Sequence, residues 1–565
     1  MGVQTFETVD AAHEALVSYG KRRNVTLTYI LAYDEFGIVE RELLKELKPL
    51  GSARVDPMRA CLPGTRTDII GDILDWSQRQ DVSEGLLWVH GHAGLGKSSI
   101  ATSVCQRLND KNLLAAEFFC KRDDSDRRNP QQVFTTIIYG LALVHRELAE
   151  SVAAAIKKDP RLCSSPIPIQ YDSLIEKPLQ MTFKEYPSAN FVVVVDALDE
   201  CGDKDSRQQL LAYFLRMSKL VSWLKIIITS RPDTDIKSFF GGRTISGVSR
   251  KNLYDYNAFS DIESFIQQRM LVSDNLEHLP LNATSLLARR ADGLFIWAKT
   301  ACELILSDHD PRSLFDQIIA GTGLGEETSS LDTLYTTAIE NTLGASAAKN
   351  TQHIQQYLGA IIVCSTRTPL SVASLCDLLD IKEKKSVLQS VVNSLGSVLY
   401  TDHTKGGVVR VYHHSFTDYM TTSAPPAIRV DMVRQNTKFA RCCLEIMLHG
   451  LKFNLCGLET SHLSNDQVLN PDLTTRIHDA TSLHLRYSCL YWTSHLTKAD
   501  SGEVEDLLKK FLLQPTMLYW IEVLSLLGKL DVAMYSALEL SKWSKVSNIC
   551  LLFRGGNTQW GEFTI

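Results

Sequence analysis

The chain has 565 residues, 44% of them hydrophobic and 22% charged, with a formal net charge of −6. At roughly 100–200 residues per domain this is too long for one core, and the acidic balance excludes a general attraction to nucleic acid or acidic membranes. The longest uncharged apolar stretch, Val133 to Val144, falls short of the roughly 20 residues that span a bilayer and reads as a buried helix.

The opening MGVQTFETVD has no basic-then-apolar signal pattern, and Phe6 stands where a myristoylation signal needs Ser or Thr. Two sequons, at Asn24 and Asn282, would need a secretory route that nothing else supplies. The thirteen cysteines form no C-x-x-C, the nearest pair being the adjacent Cys442 and Cys443, so they read as small buried hydrophobes. A cytoplasmic protein without a membrane segment is expected. Residues 1–60 carry a modest amphipathic helix, Val39 to Leu47, and no recognisable effector domain.

The first strand expected is Leu86-Leu87-Trp88-Val89, ending at His90, and a helix follows with Ile100, Val104 and Leu108 on one face. Between them, Gly91-His92-Ala93-Gly94-Leu95-Gly96-Lys97-Ser98, with Ser99 next, fits G-x-x-x-x-G-K-[ST]. Glycines let backbone N–H groups converge on anionic oxygens, and the helix N-terminus adds partial positive charge. Lys97 would reach the β- and γ-phosphates, and the Ser98 hydroxyl would ligate Mg²⁺.

Such a loop needs a carboxylate on another strand. Phe191 to Val195 is a continuous β-branched run, as in a strand covered on both faces, and it stops at Asp196-Ala197-Leu198-Asp199-Glu200. Asp196 is assigned to Mg²⁺. Asp199 and Glu200 stand where a general base orients water, or else they simply start a helix. A third strand, Lys225 to Thr229, leads into Ser230-Arg231-Pro232, where Arg231 either senses the γ-phosphate or is a solvated strand-end arginine. A fourth, Leu113 to Cys120, runs into Lys121-Arg122-Asp123-Asp124, which reads as a solvated loop rather than a phosphate contact. These four strands and their helices predict a doubly wound, mostly parallel sheet.

After a Gly/Ser-rich linker around Ala320 to Ser330 come two short helical patterns, Ser371 to Leu379 and Lys384 to Leu395. Alternating Ser397 to Tyr400 and Val408 to Tyr412 follow, joined by the turn-rich Asp402 to Gly407, and the set predicts a winged helix. Beyond Pro425-Pro426 the spacing is helical again, in Phe439 to Leu448 and Leu518 to Leu530, with no internal repeat. Winged helices also bind DNA, but residues 381–411 carry only five basic residues (Lys382, Lys384, Lys385, Lys405, Arg410) against Glu383 and Asp402. That small excess is far from the roughly six to ten phosphate contacts of specific binders, so nucleic acid is not an expected partner.

"GLLWVHGHAGLGKSSIA", "VVVVDALDEC", "IIITSRPD" and "ADGLFIWAKTA" together resemble the NACHT domain of fungal NOD-like receptor proteins, members of the STAND class of signalling ATPases. The likeness runs from about Cys61 to about Trp543. It implies six parts: an N-terminal segment 1–60, a P-loop NTPase core 61–245, a helical subdomain 246–325, a winged helix 326–425, a helical scaffold 426–545 and an irregular tail 546–565. It also implies ATP or ADP with Mg²⁺, slow hydrolysis, a closed ADP form, an ATP form that oligomerises, protein partners and a role in innate immunity. His413-His414-Ser415-Phe416-Thr417-Asp418 is similar to the family's H-x-S-F-x-D pattern, which places His413 at the phosphate-contacting histidine; a packed or capping histidine is the alternative. Family members generally continue into ankyrin or WD40 repeats, none of which fits here, and the end from Cys550 to Ile565 reads as shortened. Two other functions stay open: a scaffold that retains nucleotide without turnover, and a P-loop kinase or energy-coupling ATPase.

Overall fold

A computed structural model of the chain describes residues 43–79, 84–181, 190–241, 246–271, 279–320, 330–343, 347–403, 406–459 and 473–546. The start of the expected helix Val39 to Leu47, nearly all of the Ala320–Ser330 linker and the tail beyond Val546 lie outside the described residues. The chain divides into two compact units, Met1–Thr322 and Gly323–Ile565.

The first unit is built on five parallel strands: β1 (Leu86–His90), β2 (Leu114–Phe119), β3 (Phe191–Asp196), β4 (Leu224–Ser230) and β5 (Val248–Asn252). Their order is β2-β3-β4-β1-β5. The alternate residues of each central strand enter two separate cores, which is why the runs are apolar without interruption. Leu86, Trp88, Val193, Val195, Ile226 and Ile228 face the helices α3 (Gln131–Val144) and α4 (Lys204–Met217), through Phe134, Ile137, Leu210 and Phe214. Leu87, Val89, Val192, Val194 and Ile227 face α1 (Thr67–Gln78) and α2 (Lys97–Asp110), through Ile69, Ile73, Ile100 and Val104. This is the α/β P-loop NTPase class.

The strand order has a consequence for function. β4 lies between β1 and β3, pairing His90 with Ser230 and Val195 with Ile228. The residues that end β4 therefore reach both the glycine loop and the acidic strand end. Sequence periodicity missed β5, because Val-Ser-Arg-Lys-Asn has no apolar pattern. It is an edge strand on β1, a position where polar residues are tolerated, and Lys251 is held by Asp72 at 2.6 Å.

The second unit opens with α6 (Ser330–Leu343) and α7 (Ala347–Ser365), α5 being Phe295–Ser307 of the first unit. Then come α8 (Val372–Leu378), α9 (Lys385–Ser394) and an antiparallel hairpin of β6 (Leu399–Asp402) and β7 (Val408–Val411). Ser371 bridges to Val408, and the Val409 amide donates to the Leu370 carbonyl at 2.9 Å. A helix, an isolated bridge, two helices and a hairpin follow one another in the order expected of a winged helix. Arg410, counted above with the basic residues, is buried and paired with Asp402 at 3.1 Å.

The rest is helical, with α10 (His414–Asp418), α11 (Met432–Gly450) and α12 (Leu483–Leu496). The pattern Leu518 to Leu530 is not one helix but the body of α13 (Thr516–Leu526) and the start of α14 (Leu530–Val546). Gly528, at φ +64, breaks it, and the Lys529 amide donates to the Leu524 carbonyl at 2.8 Å, as in a glycine-terminated helix. No helix among the described residues is long and apolar enough to cross a membrane.

Candidate functional site

The loop from Gly91 to Gly96 takes the chain from β1 into α2. Gly94 and Gly96 both adopt φ +86, a left-handed conformation that disfavours side chains. At Gly94 the demand is double, because a Cβ there would lie 2.2 Å from Ile296 Cγ2. The N-terminal turn of α5 packs on this loop, with the Ile296 amide donating to the Gly94 carbonyl at 3.3 Å. Arg66, buried at the mouth of α1, donates through Nη2 to the Leu95 carbonyl at 3.0 Å and lies 4.9 Å above the Phe295 ring. Neither residue was singled out from sequence. Arg66 stands just inside the start of the likeness at about Cys61, and Phe295 lies inside the quoted "ADGLFIWAKTA", so the signal was present but had no local chemistry attached to it.

Lys97 bends back over its own loop, and its Nζ donates to the Gly91 carbonyl at 2.7 Å and the His92 carbonyl at 2.8 Å. Burial pulls its ammonium down to about 8, against the attraction of Asp199, Asp196 and Glu200 and with some repulsion from Arg231. Asp196, Asp199, Glu200 and Arg231 therefore all lie within electrostatic reach of Lys97. His92 sits edge-on to the Tyr254 ring, 5.8 Å away, on the rim of the loop.

Asp196 ends β3 and is buried. Its Oδ1 accepts from the Thr229 hydroxyl at the end of β4, and the same Thr229 oxygen accepts the Ala197 amide at 3.0 Å. Ala197 is held at φ +54, so the chain turns sharply as it leaves the strand. Burial raises the Asp196 carboxyl above its ordinary value, while the Thr229 and Ser98 hydroxyls and the Lys97 charge oppose that rise. Ser98, Lys97 and Asp196 thus come together, and Thr229 is a residue that sequence reasoning passed over.

Asp199 and Glu200 occupy a single 3-10 turn, Leu198–Glu200, each tied to a different arginine. The Arg231 amide donates to Asp199 Oδ1 at 3.0 Å, and its guanidinium pairs with Oδ2 at 3.4 Å. Arg231 is therefore not a solvated strand end. The Arg122 amide donates to Glu200 Oε2 at 3.0 Å, which corrects the reading of Lys121 to Asp124 as a solvated loop. That loop folds onto the acidic turn, and the Gly202 amide donates to the Arg128 carbonyl at 2.8 Å. Burial and the neighbouring Asp199 charge raise the Glu200 carboxyl, against the Arg122 amide and guanidinium.

The donor set is a lysine, a hydroxyl and carboxylates around backbone N–H groups, with oxygen ligands only. Among the described residues no cluster of three or more His, Cys, Asp or Glu is arranged to hold a metal by protein groups alone. This composition fits Mg²⁺, which keeps waters and takes one or two carboxylates plus substrate phosphates.

His413 belongs to the second unit and caps α10. Its Nδ1 accepts the Ser415 amide at 3.2 Å and lies 2.7 Å from Ser415 Oγ.

Residues 64–231 match the family model "Nephrocystin 3, N-terminal". Over 594 aligned positions the chain is 25% identical to the vegetative incompatibility protein HET-E-1 of Podospora anserina, covering 91% of this chain. The match spans 41% of that relative's length. Among solved structures, a Walker-type ATPase of Pyrococcus abyssi is 14% identical, with a TM-score of 0.31 over 64% of this chain and 99% of its own. Cdc6p from Pyrobaculum aerophilum is 15% identical, with a TM-score of 0.29 over 65% of this chain and 92% of its own. Both superpositions are loose, and the fold assignment rests on this chain's own strand order and glycine loop. With that loop, the acidic end of β3 and the five-strand order, the chain has a P-loop NTPase fold, and along nine-tenths of its length it is similar to HET-E-1.

Proposed function

We propose that the chain is a nucleotide-regulated signalling switch of the STAND kind, which binds ATP or ADP with Mg²⁺, hydrolyses ATP slowly and oligomerises when ATP-bound. The observation that carries this reading is the meeting of Lys97, Ser98 and Asp196 at the carboxyl ends of the strands. Gly91 to Ser99 would cradle the phosphates through backbone N–H groups, and Lys97 would leave its two carbonyls for their charge. Ser98 and Asp196 would hold Mg²⁺, which when bound supplies charge neutralisation at the phosphate oxygens. Glu200 or Asp199 would orient the attacking water and accept its proton, Arg231 would meet the γ-phosphate, and His413 would donate to a phosphate of bound ADP.

The six-part division given above, the cytoplasmic setting and the innate-immune role belong to the same proposal. Nucleic acid is not a proposed partner, since the pairing of Arg410 with Asp402 further thins the basic excess of the winged helix. One observation favours a second reading, a scaffold that keeps nucleotide without turnover. Both acids of the 198–200 turn are engaged, Asp199 by Arg231 and Glu200 by Arg122, so neither is disposed toward water unless those contacts change.

The test combines single-turnover hydrolysis with size-exclusion chromatography in ADP and in a slowly hydrolysed ATP analogue. A switch changes size with the analogue and hydrolyses slowly. A scaffold does neither, and fast multiple turnover without a size change would point to an enzyme. Nucleotide released on denaturation identifies the base.

A further inference from the structure

Two short segments at the rim of the sheet carry Asp199, Glu200 and Arg231, and they are joined at both ends. At the near end Arg231 engages Asp199 through its amide and its guanidinium. At the far end stands Arg207, in the first turn of α4 and only 9% exposed. Its Nε donates to Asp235 Oδ2 at 2.8 Å, and Asp235 is itself buried, four residues after Arg231 in the short helix Thr234–Gly241. Its Nη1 donates to the Gly202 carbonyl at 3.2 Å, with the Cys201 carbonyl as a longer contact at 3.5 Å. Those two carbonyls directly follow Glu200.

Both segments are fixed where the fork meets them. The Arg207 amide donates to the Asp203 carbonyl at 3.0 Å, and Asp203 Oδ1 accepts the Ser206 amide at 2.9 Å, so the residue that ends the acidic segment also caps the helix that carries the arginine. Gly202 is held at φ +54, and a Cβ there would lie 2.5 Å from Pro130 Cγ. On the other side Ile236 and Phe240, flanking Asp235 in sequence, enter the same apolar core as Ile226 and Ile228 of β4.

Stability does not account for an ion pair in this place, because the cost of desolvating both charges roughly offsets their attraction, and two apolar side chains would fill the space as well. What the pair adds is direction: a planar fork reaches acceptors on two segments at once and sets their spacing. We propose that Arg207 is a positioning residue for hydrolysis, which holds the acidic turn and the Arg231 segment in register so that Asp199, Glu200 and Arg231 address the same phosphate. This rests on the reading of the site as one that hydrolyses ATP. When Arg231 leaves Asp199 for a γ-phosphate, the near-end contact is given up, and the Arg207 brace keeps the spacing of the two segments.

The experiment replaces the pair in the full chain, Arg207→Met together with Asp235→Leu, and measures urea stability, ADP affinity and single-turnover hydrolysis at saturating ATP. Stability and ADP affinity are expected to match the wild type, while the rate falls about tenfold, as when reacting groups are misplaced around a nucleotide that still binds. Arg207→Lys keeps the buried charge without the fork and should hydrolyse about threefold more slowly at unchanged ADP affinity. It carries the test by itself if the double variant does not fold. Hydrolysis at the wild-type rate in every variant that folds overturns the brace and leaves the nucleotide reading intact. A parallel loss of rate and ADP affinity does the same, by assigning the pair to packing. Wild-type protein that binds ADP but hydrolyses no ATP overturns the hydrolytic reading, and the proposal with it.

Discussion

Each unit contains one dense polar cluster, and the two are built on opposite terms. In the second unit Arg367 is fully buried, and its guanidinium donates to Ser494 Oγ, Thr366 Oγ1, Asn436 Oδ1 and the carbonyls of Val363 and Ser494, at 2.8–3.2 Å. His495 continues the network with both nitrogens engaged, Nδ1 on Asn436 Oδ1 at 3.0 Å and Nε2 on the Tyr487 hydroxyl at 2.9 Å. Around the glycine loop of the first unit the groups are charged and crowded instead. Lys97 is spent on two carbonyls of its own loop, and the Asp196 and Glu200 carboxyls are raised by burial. A buried network of hydroxyl, amide and carbonyl partners that joins residues 69 and 127 positions apart has a structural purpose, whereas charges held together at a strand rim need an outside group to settle them.

If that distinction is right, removing the central cation should have opposite effects in the two places. Arg367→Leu removes one donor from each of the Val363 and Ser494 carbonyls and the Asn436 side-chain oxygen, and should destabilise the second unit by about 3 kcal/mol. Urea denaturation measures this, and a variant as stable as the wild type would mean that the network does not support the fold. Lys97→Ala should leave stability without nucleotide unchanged or slightly higher, because it removes a desolvated charge. ADP affinity should fall by about 100-fold, and the stabilisation of about 2.7 kcal/mol expected for wild type at a hundred times Kd should vanish. Calorimetry and thermal melts with and without ADP read both effects, and retention of ADP-dependent stabilisation by the variant would contradict the assignment of the loop.

The same contrast explains what could be read from the chain. The glycine loop, the runs Phe191 to Val195 and Lys225 to Thr229 and the hairpin pattern were legible because each is a local signal: glycine spacing, β-branched continuity, alternation around a turn. Asp196 was legible because it ends an apolar strand. Thr229 was not, since nothing in "IIITS" says that β4 is inserted between β1 and β3, and only that strand order brings its hydroxyl to Asp196. Arg122 was misread for a related reason, because a charge run looks solvated until the acidic turn is known to lie against it. β5 lacked a pattern because an edge strand is not obliged to have one, and Gly528 was overlooked within an apolar spacing that continues on both sides of the break.

A smaller effect follows from pH. With its free-state value drawn down to about 8 by burial, Lys97 loses its proton near that pH when no phosphate is bound. A bound polyphosphate favours the charged form, so binding above pH about 8 takes up a proton and affinity falls as pH rises, by roughly tenfold at one unit above that value. Below it the affinity should be flat as far as this group is concerned. Calorimetric titrations in buffers of different ionisation enthalpy count the protons taken up. An ADP affinity unchanged between pH 7 and 9 would place the lysine outside the phosphate site.

The smallest effect concerns the residue that the strand order alone reveals. The Thr229 hydroxyl donates to Asp196 Oδ1 and accepts from the Ala197 amide, so it fixes the carboxylate and the left-handed turn that follows it at once. Thr229→Val keeps the shape but leaves a buried amide unpaired and one carboxylate oxygen unguided. At about 1 kcal/mol for the lost bond, the Mg²⁺ concentration needed for half-maximal hydrolysis should rise about fivefold, while ADP binding without Mg²⁺ changes little. Thr229→Ser retains the hydroxyl and should restore the Mg²⁺ dependence. The split between the two readouts is what matters: an equal loss in both would assign Thr229 to the packing of the strand, and no loss in either would show that Asp196 is oriented by Ser98 alone.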